Sequence, residues 1–176
     1  SIFELNENST WRKLFGSAQV DSEMRDIEYI LRFFIMKSDD ILKKAQATKS
    51  LSKKALNHFM DLHRNDSPED IDFYRSQFTA TIQAIYNSVG ENAFKNYSNG
   101  KFSKKFHPAI FDSLMVSAYF SISRKNTLPN VSLETHLSLL ADSRFKESIS
   151  KRTTDIENIK RRISIAGHTL FGVVLE

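Results

Sequence analysis

Two clusters of basic residues have the types and spacing that could bind a ligand. In the first cluster, Lys101, Lys104 and Lys105 alternate with Phe102 and Phe106. A second cluster near the C-terminus contains Lys151, Arg152, Lys160, Arg161 and Arg162. Lysines can neutralise backbone phosphates while neighbouring aromatic rings stack on the bases. The pattern therefore predicts a nucleic-acid interface, in which the binding residues are Lys101, Lys104, Lys105, Lys151, Arg152, Arg161 and Arg162.

The same residues have a second interpretation, in which they form a solvated rim that binds nothing. Phe102 and Phe106 would then point towards the core, and the lysines would point into water. Arg161 and Arg162 lie between Ile159 and Ile163 in an apolar helical pattern. At least one of the two arginines is therefore expected near the core, as the partner of a buried carboxylate. The sequence leaves both interpretations open, because clusters so far apart in the chain can lie on opposite sides of a fold.

No combination of residues in the sequence predicts a metal site or a catalytic site. The five histidines are His58, His63, His107, His136 and His168. No two of them have the three- or four-residue spacing that places two ligands on one helix face. The one Gly-x-x-x-x-Gly segment, Gly167 to Gly172, lacks the Lys-Ser/Thr continuation of a phosphate-binding loop. We therefore expect no cofactor, no metal and no catalytic residue, and we do not expect this chain alone to be an enzyme.

The composition favours one helical domain. The chain has 176 residues, no cysteine, five glycines and three prolines, so disulfides and thiolate zinc sites are excluded and turn-rich β folds are disfavoured. Its formal net charge is +4, which is unevenly distributed: residues 1–40 carry eight acidic and five basic side chains, a net charge of −3, and the remainder carries +7. Nothing at the N-terminus resembles a secretory signal, which favours a cytoplasmic location. The serine at position 1 favours a fragment of a longer protein, with residues 1–176 as a single domain.

The segment from His107 to Arg124 is the longest in which apolar residues occupy more than one helical face. Its apolar side chains are Ile110, Phe111, Leu114, Met115, Val116, Ala118, Tyr119, Phe120 and Ile122. A helix that is apolar nearly all round must be covered on several sides. Asp112 and several serines exclude a membrane span, as does a length below the roughly 20 residues that a bilayer needs. We therefore predict an all-α fold, an irregular bundle of six to eight helices with little or no sheet, around this central helix.

Other segments carry clear local signals. Ser67, Pro68 and Asp70 form a capping pattern that predicts a long helix ending at Gly90. Trp11 is expected to anchor a short first helix on the core, and Arg32 is expected to pair with Glu28 one turn earlier. Residues 39–50 predict a short helix and a loop, and Asn99 with Gly100 predicts a hairpin or an ordered loop. A last amphipathic helix, capped by Thr153 or Thr154, should pack on the core.

Five segments together resemble the helical C-terminal part of GmrSD-like proteins, a family of restriction and anti-phage defence proteins. In chain order the segments are NSTWRKLFG, MRDIEYILRFF, KKALNHFM, KFHPAIFDSLMVSA and RFKESISKRTTDIENIKRRI. In that family an N-terminal ParB and sulfiredoxin-like domain carries the DGQQR motif, which is linked to nucleotide hydrolysis and DNA restriction. No such motif occurs here, so the resemblance implies a helical architecture and a prokaryotic cytoplasmic setting, but no catalytic residue.

Two functions follow as expectations. The first is a non-catalytic helical module of a GmrSD-like defence protein, which helps to position DNA or the neighbouring nuclease or NTPase domain. Its partners would be the missing N-terminal ParB-like domain and DNA, and no membrane. The second is a structural scaffold or oligomerisation domain without nucleic-acid contact, which an exposed apolar face would favour.

Overall fold

A computed structural model describes residues 2–38 and 50–175 of the chain. Within these ranges the chain forms nine helices and one two-stranded sheet. The helices are α1 (Ile2–Asn6), α2 (Ser9–Phe15), α3 (Arg25–Met36), α4 (Lys53–Leu62), α5 (Pro68–Val89), α6 (Pro108–Lys125), α7 (Leu133–Ala141), α8 (Ser143–Ser150) and α9 (Ile156–Phe171). The strands are β1 (Lys95–Ser98) and β2 (Lys101–Phe106). The short helix predicted after Ser38 falls on residues 39–49, outside the described ranges.

Helix α6 is the central element that the sequence predicts. Eleven of its side chains are buried, more than in any other described helix, although α3 buries a larger share of its length. It packs mainly against α9, and also against α5 and α3. Ser113, Ser117 and Ser121 are buried on it, and each hydroxyl donates to the carbonyl oxygen four residues earlier, at 2.6–2.7 Å. These bonds satisfy the hydroxyls, so α6 carries serines in the core without unpaired polar groups.

Trp11 anchors the N-terminal helices on the core, as predicted. Its side chain is fully buried, and its ring centroid lies 5.3 Å from that of Phe111 and 6.1 Å from that of Phe78. The indole nitrogen donates to Asn6 Oδ1 at 2.9 Å. Asn6 and Arg12 both bond the carboxylate of Asp26, at 2.9 and 2.7 Å. Polar bonds and aromatic packing therefore join α1, α2 and α3.

The capping pattern of α5 is also confirmed. Ser67 Oγ accepts a bond from the backbone nitrogen of Asp70 at 3.1 Å, and Asp70 Oδ2 accepts from the backbone nitrogen of Ser67 at 3.3 Å. The helix ends at Gly90, whose φ of +94° is favourable only for glycine. The start of α9 differs from the prediction: Asp155, rather than Thr153 or Thr154, caps it by accepting from the nitrogen of Glu157 at 3.0 Å.

The described residues are mostly helical, as predicted, and they differ from the predicted all-α bundle in two details. The first is a small antiparallel hairpin, in which Tyr97 pairs with Phe102. Asn99 and Gly100 both have positive φ, which is the conformation of the tight turns that join hairpin strands. The second is the number of helices, nine instead of six to eight. Helix α1 was not predicted, because five residues are too few to show a helical period.

None of the described helices is long and apolar enough to cross a membrane. Helix α6, which has apolar residues on more than one face, is covered by other helices of the same chain.

Replacing Leu114 by alanine should lower the free energy of unfolding by about 2–5 kcal/mol, because Leu114 is fully buried on the central helix and its loss leaves a cavity. Urea denaturation followed by circular dichroism measures this loss. Leu133→Ala is the matched control, since Leu133 is 62% exposed on α7 and its truncation should cost less than about 0.5 kcal/mol. A loss below about 1 kcal/mol for Leu114→Ala would contradict the central position of α6.

Candidate functional site

Six of the seven predicted binding residues lie on the surface. Lys101, Lys104 and Lys105 are exposed on β2, Lys151 and Arg152 are exposed in the connection between α8 and α9, and Arg161 is exposed on α9 together with its neighbour Lys160. Neither these six side chains nor that of Lys160 makes an ion pair or a hydrogen bond with another described residue. Their charges are therefore available to a ligand.

The fold brings the two basic clusters to one end of the molecule. Helices α6 and α9 run in the same direction: Asp112 near the start of α6 bonds Arg162 of α9 at 2.8 Å, and Lys125 at the end of α6 bonds the carbonyl of Gly172 after α9 at 2.9 Å. Strand β2 leads into the start of α6, and the α8–α9 connection leads into the start of α9. Lys104, Lys105, Lys151 and Arg152 therefore lie towards the same end of the helix pair, and we call these four residues the basic end. Lys101 lies further away, beside the hairpin turn.

The phenylalanines between the lysines are half-buried and pack against other aromatic rings, which is the arrangement of the rim interpretation. The ring of Phe102 lies 5.0 Å from Tyr97 and 5.4 Å from His136, measured between centroids. The ring of Phe106 lies 5.0 Å from Phe15 and 5.5 Å from Phe111. Both rings are held by the packing of the hairpin on the helices. For the aromatic residues, the structure thus matches the rim interpretation. The basic end could contact a nucleic acid only through its charged side chains.

Arg162 is not a surface residue, which corrects its inclusion in the predicted interface. Its side chain is fully buried, and it donates to Asp112 Oδ2 at 2.8 Å and to the carbonyl of Thr153 at 2.7 Å. The reason is its position on α9, because it lies on the inner face with Ile159 and Ile163. The expectation that one of the two adjacent arginines is a buried ion-pair partner is confirmed for Arg162, while Arg161 is exposed.

Asp112 binds a second buried arginine, Arg32 of α3. Arg32 Nε lies 3.2 Å from Asp112 Oδ1, and an Nη2 bond to Oδ2 completes a two-bond contact. The predicted pairing of Arg32 with Glu28 is wrong, because Arg32 instead donates to both carboxylate oxygens of the buried Asp112 on α6. Burial lowers the pKa of Arg32, but the charge and hydrogen bonds of Asp112 outweigh it and raise the pKa overall. Burial lowers the pKa of Arg162 more than Asp112 raises it. We call Arg32, Asp112 and Arg162 the buried triad.

Lys37 lies in an aromatic cage that no sequence pattern indicated. Its Nζ donates to Gln77 Oε1 at 2.6 Å and lies 5.7, 5.4 and 4.9 Å from the ring centroids of Phe34, Tyr74 and Tyr119. Burial lowers the pKa of Lys37 to about 8, while the faces of the rings stabilise its charged form. Because its partners come from α3, α5 and α6, Lys37 fastens the C-terminal end of α3 to the other two helices.

A groove of about 630 Å³ opens between α1, α3, α4 and α5. Its walls are largely apolar and include Leu31, Phe34 and Ile71. His63 also lines it, with Nδ1 2.8 Å from Asp66 Oδ2. No local sequence pattern indicates this groove, because it forms only where four helices meet. Among the described residues, no group of three or more histidine or acidic side chains is arranged to hold a metal ion.

No protein-family model, no curated protein and no solved structure matches this chain.

Replacing Asp112 by asparagine should lower the free energy of unfolding by about 3–5 kcal/mol, because two buried guanidinium groups lose the carboxylate that they share. Chemical denaturation at pH 7 measures this effect. Asp72→Asn is the control, since Asp72 pairs with Arg75 at the surface and its change should cost less than about 1 kcal/mol. Similar losses for the two variants would show that the triad is not an important constraint.

His136 should make the protein less stable in acid. Burial lowers the pKa of His136 to about 4, whereas an unfolded histidine has a pKa of about 6.5. Between pH 6.5 and 4, His136 is protonated in the unfolded chain but neutral in the folded chain. The free energy of unfolding therefore falls as the pH falls, by up to about 2–3 kcal/mol.

The variant His136→Phe keeps a ring against Phe102 and should lose this part of the decline, leaving a flatter dependence between pH 6.5 and 4.5. The readout is the free energy of unfolding in urea at several pH values. His58→Gln, on the exposed face of α4, should keep the wild-type slope. An unchanged slope in His136→Phe would contradict the assignment.

Proposed function

We propose that this chain is a non-catalytic helical module of a GmrSD-like defence protein in the prokaryotic cytoplasm, and that its basic end holds DNA. The observation that carries the proposal is the position of Lys104, Lys105, Lys151 and Arg152. These four exposed cations lie on the two segments that lead into the parallel helices α6 and α9, and they have no acidic partner among the described residues. Exposed lysines without partners suit phosphate, which needs charge and little geometric precision.

The mode of contact follows from the orientation of the aromatic rings. With Phe102 and Phe106 packed inwards, the basic end has charge for the DNA backbone but no platform for unpaired bases. The module would therefore bind duplex DNA with little sequence preference, and would leave recognition and catalysis to a neighbouring domain. The resemblance to the GmrSD-like family makes the ParB-like domain the expected neighbour.

A second candidate function is a scaffold or oligomerisation domain. The observation that favours it is the exposure of large apolar residues on α4 and α5: Met60, Leu62 and Phe73 are each 51–58% exposed. Exposed apolar patches often mark protein interfaces. We rank this function second because the patch is interrupted by charged residues, namely Asp61, Arg64 and Asp72.

Binding to DNA should be weak and strongly dependent on salt. At physiological salt we expect a Kd of about 10⁻⁴ to 10⁻⁶ M for a short duplex, which is the range of non-specific contacts, and tighter binding at low salt. The variant Lys104→Glu/Lys105→Glu should weaken binding and lower the slope of log Kd against log salt by about 2, because two phosphate contacts are lost. Fluorescence anisotropy at four or five salt concentrations provides both values.

The matched control is Lys13→Glu/Arg64→Glu, which makes the same change in net charge at exposed positions outside the basic end. It should weaken binding only slightly and keep the wild-type slope. An absence of binding at low salt would favour the scaffold function. Equal effects of the two double variants would mean that only the total charge of the chain matters.

A further inference from the structure

Lys37 is a half-buried cation that pairs with no carboxylate in the described part of the chain. Its Nζ lies 5.7, 5.4 and 4.9 Å from the ring centroids of Phe34, Tyr74 and Tyr119. It donates one hydrogen bond, to Gln77 Oε1 at 2.6 Å. Three aromatic rings and one amide oxygen therefore surround the charge where an acidic side chain would usually stand.

The hydrogen-bond donors of this ammonium group are only partly used. A lysine ammonium has three N–H donors, and Gln77 Oε1 accepts one of them. The other two have no acceptor among the residues that the structure describes. Donors that are taken out of water without an acceptor cost free energy. Two methyl groups in place of these two hydrogens would remove the unpaired donors, keep the positive charge and leave one N–H for Gln77.

The surrounding rings suit a methylated ammonium group. Aromatic cages bind such groups because the ring faces are electron-rich, and all three distances lie within the limit of about 6 Å for a cation over a ring. Phe34, Tyr74 and Tyr119 belong to α3, α5 and α6. The cage is therefore fixed by the packing of three helices, and it is already formed around the unmodified lysine.

The same surroundings favour the transfer of a methyl group to Nζ, which requires the neutral amine. Burial lowers the pKa of Lys37 to about 8. About one amine in ten is then neutral at pH 7, against about one in 2,500 for an ordinary lysine. In each transfer the Nζ lone pair attacks the methyl carbon of a sulfonium donor. The carbon–sulfur bond breaks, its electron pair leaves with the thioether, and the amine proton passes to water.

We propose that Lys37 is a methylation site, and that its dimethylated ammonium group occupies the cage of Phe34, Tyr74 and Tyr119 with the remaining N–H bonded to Gln77 Oε1. The modification strengthens the attachment of the C-terminal end of α3 to α5 and α6. The proposal does not rest on DNA binding by the basic end, so the failure of either leaves the other intact.

The state of Lys37 in the cell tests the modification itself. Peptide mass spectrometry of the chain isolated from its own cells should find Lys37 heavier by two methyl groups. Lys13 is the matched comparison, because it is exposed and its Nζ lies over one ring only, 5.7 Å from the centroid of Tyr86. It should be unmodified. An unmodified Lys37, or equal methylation of the two lysines, would overturn the proposal.

Reductive methylation of the recombinant chain tests the fit of the cage. Formaldehyde labelled with ¹³C condenses with each accessible amine with loss of water, and an amine borane supplies the hydride that reduces the product, so that two rounds give dimethyl-lysine. The methyl signal of Lys37, identified by its absence in Lys37→Arg, should lie upfield of all other dimethyl-lysine signals because of the ring faces. Methylation should raise the Tm of the wild type by about 2–4 °C more than that of Lys37→Arg.

Two further variants complete the test, and each is compared before and after methylation so that differences in folding cancel. Lys13→Arg should keep the wild-type rise in Tm. Tyr119→Leu removes the nearest ring and should reduce both the upfield shift and the rise. If Lys37 of the folded chain does not react, or if the Tm of the wild type rises no more than that of Lys37→Arg, the proposal is wrong.

Discussion

The structure depends on one buried ionic contact, in which Asp112 on the central helix binds Arg32 of α3 and Arg162 of α9. Placing three charges in a core is costly, and the cost is offset only if the geometry is good and the partners stay together. The contact therefore specifies how α3, α6 and α9 are arranged more than it adds to stability. Arginine suits this role because its guanidinium group stays protonated even when it is buried.

The same contact determines where the surface charges lie. Because Asp112 contacts Arg162 in the middle of α9 and Lys125 contacts Gly172 just after α9, α6 and α9 run in the same direction, and the segments that lead into them lie towards the same end of the molecule. Those segments carry Lys104, Lys105, Lys151 and Arg152, so a buried carboxylate positions an exposed basic surface. The acidic residues between 61 and 75 belong to other elements, α4, α5 and their connection.

Local sequence signals predicted many of the helices and turns of this fold. Contacts between residues far apart in the sequence were not predicted. The cap at Ser67, the tight turn at Asn99 and the central helix depend on neighbouring residues, so a single sequence reveals them. The pairing of Arg32 with Asp112 joins positions 80 residues apart, which no local pattern can show. The sequence also predicted that at least one of Arg161 and Arg162 is buried, but it did not show which one. The groove was missed for a similar reason, because it exists only where four helices meet.

The central claim is that the basic end contacts DNA through charge alone. The most direct measurement is a titration of the ¹⁵N-labelled chain with a short duplex, followed by amide chemical shifts. The account predicts that the largest changes cluster at residues 104–105 and 151–152, that they do not depend on the sequence of the duplex, and that residues 60–75 are unaffected. Changes centred on residues 60–75, or no changes at low salt, would contradict it.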